Sequence, residues 1–289
     1  MRDGTIKTIA GTGHEGYNGD DRLGTSARLC YPKGLFVTDN DQVLFADCEN
    51  HRIRMIDRYG FIRTIAGTGV KGCNYDNILA TQAELNEPTS VFKYRNEVYF
   101  TDCGNHRIRK IMENGKIVTI AGTGQRGYNG DNQLATIARL CCPCGLHVHD
   151  GEVYFSDQYN SRIRKILSNG TIQTIAGTGK TGYNGDNILA TQSCIYYPSD
   201  IFVSNCGNVY FADTRGNRIR MIDSQSGLIS TIAGNGQEGY LGDVPFDFER
   251  FPHIGPPRPV KPFSKRQGQF VSSYHDIVIE CSTTRSETE

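Results

Sequence analysis

The chain has no tryptophan and no net charge, its 289 residues including 31 basic and 31 acidic ones. The balanced charge removes the general argument for a polyanionic partner, whether nucleic acid or an acidic membrane surface. No apolar run approaches the roughly 20 residues that a membrane span requires. Met1-Arg2-Asp3-Gly4 is polar and lacks the apolar stretch of a secretory leader, so a cytoplasmic location is expected. Hydrophobic residues make up only 37%, whereas glycine is frequent at 33 residues. That combination argues against long helices and for a β-rich chain with many tight turns.

What the chain has in abundance is repetition. The phrase Thr-Ile-Ala-Gly-Thr/Asn-Gly occurs five times, and its alanines, Ala10, Ala66, Ala121, Ala176 and Ala233, stand 55 to 57 residues apart. A fixed period of this size signals one supersecondary unit stacked repeatedly, because a lone unit cannot bury its apolar face. Within the second full copy, Pro88 to Tyr94 reads as a first strand and Glu97 to Asp102, dense in β-branched and aromatic residues, as a second. Cys103-Gly104-Asn105 is a turn and His106 to Ile111 a third strand. Glu113-Asn114-Gly115 marks a hairpin, and Lys116 to Ala121 is the fourth strand. Four antiparallel strands per unit specify an all-β propeller blade, in which radial stacking hides most sheet edges. A long connector follows each fourth strand. It contains Gly-Tyr-Asn-Gly-Asp at residues 16–20, 127–131 and 182–186, and Gly-Cys-Asn-Tyr-Asp at 72–76. Leu79 to Leu85 is expected to make one helical turn with Leu79 and Ala83 on one face.

The run Pro143, Gly145, Asp157, Asn160, Arg162, Ile163, with its counterparts in each copy, resembles the NHL repeat. The resemblance covers roughly residues 4 to 243 and implies a β-propeller, most often six-bladed, acting as a rigid platform for protein partners. Only four full copies are present, at about residues 32–69, 88–124, 143–179 and 198–236. Residues 5–11 read as an isolated fourth strand. Two closures stay open. A five-bladed ring would draw strands from Phe251 to Gly255 and His275 to Ile279; the other reading is an open or incomplete ring, such as a fragment of a larger chain would form. The propeller is assigned to residues 1–244 and a divergent proline-rich tail to 245–289. Pro256-x-x-Pro259-x-Lys261 in that tail resembles a ligand for Src-homology-3-type grooves, with a plain linker as the simpler reading.

Several constellations could carry chemistry. The sets Asp47, Asn50, Arg52; Asp102, Asn105, Arg107; Asp157, Asn160, Arg162; and Asp213, Asn217, Arg218 read as networks that lock a turn, with Gly216 as an inserted residue in the last copy. The arginine pairs, from Arg52/Arg54 to Arg218/Arg220, could form a basic stripe for RNA, but their heads are expected to pair with carboxylates. The connectors are oxygen-rich, so bound calcium is a second reading beside turn formation. His147 and His149 lie on one side of a strand beside Cys141, Cys142 and Cys144, yet they align with Phe36, Phe92, Phe202, Thr38, Tyr94 and Ser204, which marks a packing position. The ten cysteines sit at recurrent positions, Cys48 with Cys103 and Cys30 with Cys141, and are expected to be reduced. No catalytic residue, metal site or cofactor is assigned. The expected function is a non-catalytic scaffold whose connectors touch a protein partner through Tyr17, Asn18, Asp20, Asn74, Asp76, Tyr128, Asn129, Asp131, Tyr183, Asn184 and Asp186. The competing classes are a metal-dependent lyase or hydrolase in the channel and an RNA-binding protein.

Overall fold

The computed structural model describes residues 4–239. Four antiparallel sheets follow one another along the chain. The first contains β1 (Arg22–Leu23), β2 (Pro32–Val37), β3 (Val43–Asp47), β4 (Arg52–Ile56) and β5 (Phe61–Ala66). The second contains β6 (Pro88–Tyr94), β7 (Glu97–Asp102), β8 (Arg107–Ile111) and β9 (Ile117–Ala121). The third contains β10 (Gln133–Leu134), β11 (Pro143–His149), β12 (Glu152–Asp157), β13 (Arg162–Ile166) and β14 (Thr171–Ala176). The fourth contains β15 (Ile188–Leu189), β16 (Pro198–Val203), β17 (Val209–Asp213), β18 (Arg218–Ile222) and β19 (Leu228–Ala233).

The expected four-stranded blade is present each time, with one addition. In three blades a two-residue strand from the preceding connector pairs with the fourth strand, as Arg22 with Ile62 and Leu23 with Phe61. In the second blade this narrows to a single Leu79–Lys116 bridge. The connector thus covers the outer sheet edge that would otherwise expose unpaired backbone groups. Its helical turn is a three-residue 3-10 turn, Ala80–Gln82 in the second blade, which buries Ala80 and Ala83 but leaves Leu79 half-exposed. Leu79 and Ala83 therefore do not share a face, because a 3-10 turn this short places residues i and i+3, here Ala80 and Ala83, inside.

Adjacent blades pack face to face. Leu44, Ala46, Ile53 and Met55 of the first blade meet Val91, Phe100 and Ile111 of the second in one core cluster. Similar clusters join the second blade to the third and the third to the fourth. Along the inner strands an aromatic ladder runs from Phe36 to Phe92 to His147 to Phe202, with ring centroids 4.6, 4.5 and 5.0 Å apart. His147 is therefore a packing residue in that ladder, and burial holds its imidazole down to about 4.

Among the described residues, no core cluster joins the first blade to the fourth. Leu35 is 68% exposed, whereas Val91, Leu146 and Ile201, in the same register, are 3%, 3% and 6% exposed. Residues 5–11, expected as a strand, form none, since no third strand is there to pair with them. Gly11 and Thr12 still donate to the carbonyls of Gly24 and Ala27, as Gly67 and Thr68 do to Ala80 and Ala83. The proline-rich tail, its short motif and the proposed closing strands lie outside the described residues. No helix among the described residues is long and apolar enough to cross a membrane.

Candidate functional site

Each connector is bolted to its blade by a buried arginine. In the first copy Asp47, at the end of β3, is fully buried. The backbone N–H of Cys30 donates to its Oδ1 at 2.7 Å, and Asn50 Nδ2 and Arg54 Nη1 donate to its Oδ2 at 2.9 and 3.1 Å. The other side of the Arg54 guanidinium reaches the connector, where Nη2 donates to Asp20 Oδ1 at 3.0 Å and to Gly19 O at 3.2 Å. Thr64 on β5 donates to the same Asp20 oxygen. The pattern repeats with Arg109 between Asp102 and Asp76, Arg164 between Asp157 and Asp131, and Arg220 between Asp213 and Asp186. All four arginines are completely buried. A buried guanidinium needs paired acceptors, and two carboxylates from separate segments supply them.

The electrostatics follow from depth. Burial raises the carboxyls of Asp47, Asp102, Asp157 and Asp213, and it lifts Asp157 up to about 6. At Asp131 burial also pushes upward, but hydrogen bonds from Arg164 and Tyr128 outweigh it and hold the carboxyl below its ordinary value. The fourth turn differs from expectation. Gly216 is not an insertion, because the turn Thr214–Gly216 has the same length as Cys48–Asn50. Gly216 instead stands where the other copies carry Asn50, Asn105 and Asn160. Asn217 takes the left-handed position of His51, His106 and Ser161. Without the amide, Asp213 Oδ2 has no hydrogen-bond partner among the described residues, and Arg220 Nη1 lies 3.6 Å away.

The other arginine in three of the pairs packs against the face of a connector tyrosine. Arg52, Arg162 and Arg218 sit 3.7, 3.8 and 3.9 Å from the ring centroids of Tyr17, Tyr128 and Tyr183. Their N–H groups donate to carbonyls of the turn and of the repeated phrase, as Arg52 does to Asn50 O and Thr68 O. In the second copy Cys73 replaces the tyrosine and accepts from Arg107 Nη1. The phrase itself is explained here. Gly67 has φ +95°, and a Cβ there would lie 2.3 Å from His51 O, while Gly69 leaves room for the Arg52 guanidinium.

The remaining expected contact residues are also placed in internal bonds. Asn18 closes its connector by donating to Ser26 O and accepting from the N–H of Arg28, and Asn74, Asn129 and Asn184 do the same in theirs. Tyr128 and Tyr183 hydroxyls donate to Asp131 and Asp186. The arginine pairs accordingly do not stand out as a basic stripe. Among the described residues, no group of three or more His, Cys, Asp or Glu is positioned to hold a metal ion. Among the described residues, eight cysteines are free thiols. Cys206 is disulfide-bonded, against the expectation of reduced thiols throughout, for which no sequence signal was available.

The NHL repeat family is matched over residues 29–54, the stretch that runs from the end of the first connector through Asp47, Asn50, Arg52 and Arg54. The chain carries the NHL repeat on a fold of β-propeller blades. This NHL-repeat chain is 29% identical over 252 residues to Protein SUPPRESSOR OF QUENCHING 1, chloroplastic, of Arabidopsis thaliana, which covers 81% of the chain and 23% of that protein. It is 28% identical over 239 residues to Teneurin-m of Drosophila melanogaster, covering 73% of the chain and 8% of the relative. For Teneurin-4 of Homo sapiens the figures are 27% over 278 residues, 85% and 10%. The chain therefore spans less than a quarter of the length of these relatives. Among solved structures, an auxiliary nutrient binding protein from Bacteroides ovatus superposes with a TM-score of 0.52 at 19% identity, over 71% of this chain and 49% of that one. That is a likeness of fold.

Proposed function

We propose that this NHL-repeat protein is a non-catalytic scaffold that binds a protein partner along the rim formed by its connectors. The observation that carries this reading is the fixed presentation of Tyr17, Tyr128 and Tyr183. Each ring is held against a guanidinium on one side and remains 37 to 43% exposed. Amphipathic rings whose rotamers are set before binding lose little conformational freedom at an interface. The connector aspartates and asparagines then act as the fasteners that hold the rim, and the tyrosine faces do the touching. Each connector also displays a half-exposed leucine, Leu23, Leu79, Leu134 or Leu189, and the second connector adds the exposed Tyr75. A repeated apolar side chain left outside in every unit suits a contact surface more than a core.

The test is a triple replacement of Tyr17, Tyr128 and Tyr183 by serine, with folding checked by circular dichroism and thermal melting. A partner captured by the native protein should bind the variant at least about tenfold more weakly, a loss in keeping with truncated aromatic anchors. Undiminished binding by a folded variant would remove the rim from the reading. Steeply salt-dependent retention on a polyanion resin would point to RNA instead.

A further inference from the structure

The junction between the second and third blades carries a pair of thiols that the buried arginine network does not use. Cys103 follows Asp102 in the turn after β7, and Cys142 precedes β11. Both meet at His106, whose backbone N–H donates to Cys103 O at 3.0 Å while its ring contacts Cys142, so the two thiols come together across the blade boundary. His106 completes the group. Its Nδ1 accepts from the N–H of Cys142 at 3.2 Å and lies 3.8 Å from Cys142 Sγ. All three residues are partly exposed.

The preceding junction, which carries the same histidine, offers a comparison. There Glu87 occupies the place of Cys142, with φ +50° against +51°, and its N–H donates to His51 Nδ1 at the same 3.2 Å. The Glu87 carboxylate pairs with Lys71 at 2.8 Å. Lys71 bridges to Leu85, and Arg126 occupies the equivalent place by bridging to Leu140. The other copies carry Tyr31 and Tyr197 at this position, so of the two junctions that keep the histidine, one holds an anion between an imidazole and a cation, and a thiolate is the anion that cysteine can supply at the second. Lys33 adds a second positive group on the Cys103 side.

We propose that Cys103 and Cys142 are a redox-active dithiol that closes into a disulfide between the second and third blades when a hydroperoxide oxidises it. Cys142 attacks as the thiolate. Its sulfur forms a bond to the terminal peroxide oxygen, the O–O bond breaks, and with hydrogen peroxide the departing hydroxide takes up a proton to leave as water. Cys142 is then a sulfenic acid. Cys103, as resolving thiol, gives up its proton and attacks Cys142 Sγ; the S–O bond breaks, a second water leaves, and the disulfide remains. Two thiols and one hydrogen peroxide thus give one disulfide and two waters. The acid–base character of the pair agrees with these roles. The neighbouring Cys103 thiol and His106 hold Cys142 below the usual thiol range, whereas the neighbouring Cys142 sulfur and burial hold Cys103 above it. Burial also raises Cys48, Cys141 and Cys144, so the neighbouring thiols are poorer nucleophiles.

The experiment uses the full chain with Cys141→Ser and Cys144→Ser, so that the tryptic peptide from Leu140 to Arg162 carries Cys142 alone and the peptide from Asn96 to Arg107 carries Cys103. After treatment with stoichiometric hydrogen peroxide, mass spectrometry should find these two peptides joined and separable by dithiothreitol. At pH 6, iodoacetamide should alkylate Cys142 about tenfold or more faster than Cys73, which is more exposed but has a raised thiol. Adding Cys103→Ser should leave Cys142 as a sulfenic acid that dimedone traps, and His106→Ala should slow its alkylation. Peptides that stay unlinked, or link elsewhere, would overturn the proposal. So would a Cys142 no faster than Cys73, or a Cys103→Ser protein that yields no dimedone adduct.

Discussion

His147 and Asp157 lie in one blade and respond to acid in opposite directions. Asp157 is lifted from 3.8 to about 6 by burial, so its contribution to stability is complete below 3.8 and is lost as the pH rises through 6. His147 is lowered from 6.5 to about 4 by burial, so its contribution is complete above 6.5 and is lost as the pH falls through 4. Between about pH 4 and 6 the two effects offset each other in the native protein. His147→Phe removes the histidine effect and keeps the aromatic ladder, since phenylalanine already occupies the other three places. The variant should therefore be more stable than the native protein by an amount that grows by about 2 kcal/mol between pH 7 and pH 5. Urea denaturation at the two pH values measures it. An equal difference at both would mean that water reaches the imidazole and that burial does not govern its proton.

At the level of the element, the turn after the second strand does the most work and shows where sequence reading succeeds and stops. The fourth copy lacks the asparagine that donates to the turn aspartate elsewhere. Gly216→Asn should restore that bond and stabilise the protein by about 1 kcal/mol. An added Cβ would meet Asp213 Oδ2 at 2.7 Å, so the carboxylate must swing away, as a terminal side-chain group can. The urea midpoint should rise; a fall would show that the fourth turn has settled into an arrangement of its own. The strands Pro88–Tyr94 and Glu97–Asp102 were legible to the residue because proline, β-branched and aromatic residues mark them. The third strand was expected to start at His106, but that residue adopts φ +55° and closes the turn. A left-handed conformation outside glycine leaves little trace in sequence. The edge strands such as Arg22–Leu23 were not legible at all. Two residues carry no alternation, and their pairing is decided by where the connector is pinned, through contacts such as Asp20 to Arg54 that lie 34 residues apart. The rim residues were found as a repeated motif, but their internal bonds required the fold. The dithiol was invisible because Cys103 and Cys142 belong to different repeat positions that meet only across a blade boundary.

For the whole molecule, the repeat makes each blade a test of its neighbours. Leu35, Val91, Leu146 and Ile201 occupy one register, and the last three are buried because a preceding blade faces them. In a stack where each unit contacts only adjacent units, the energy of a core side chain depends on whether the neighbour is there. Leu146→Ala should then cost about 2 to 4 kcal/mol, the range for deleting a buried leucine side chain. Leu35→Ala should cost less than about 1 kcal/mol, as expected of an exposed position. The comparison reads out closure directly. If both substitutions lower the denaturation midpoint equally, something covers the first blade in solution, and adding increasing protein concentration separates the sources. A Leu35→Ala penalty that grows with concentration means another copy supplies the cover, whereas a constant penalty means the same chain does.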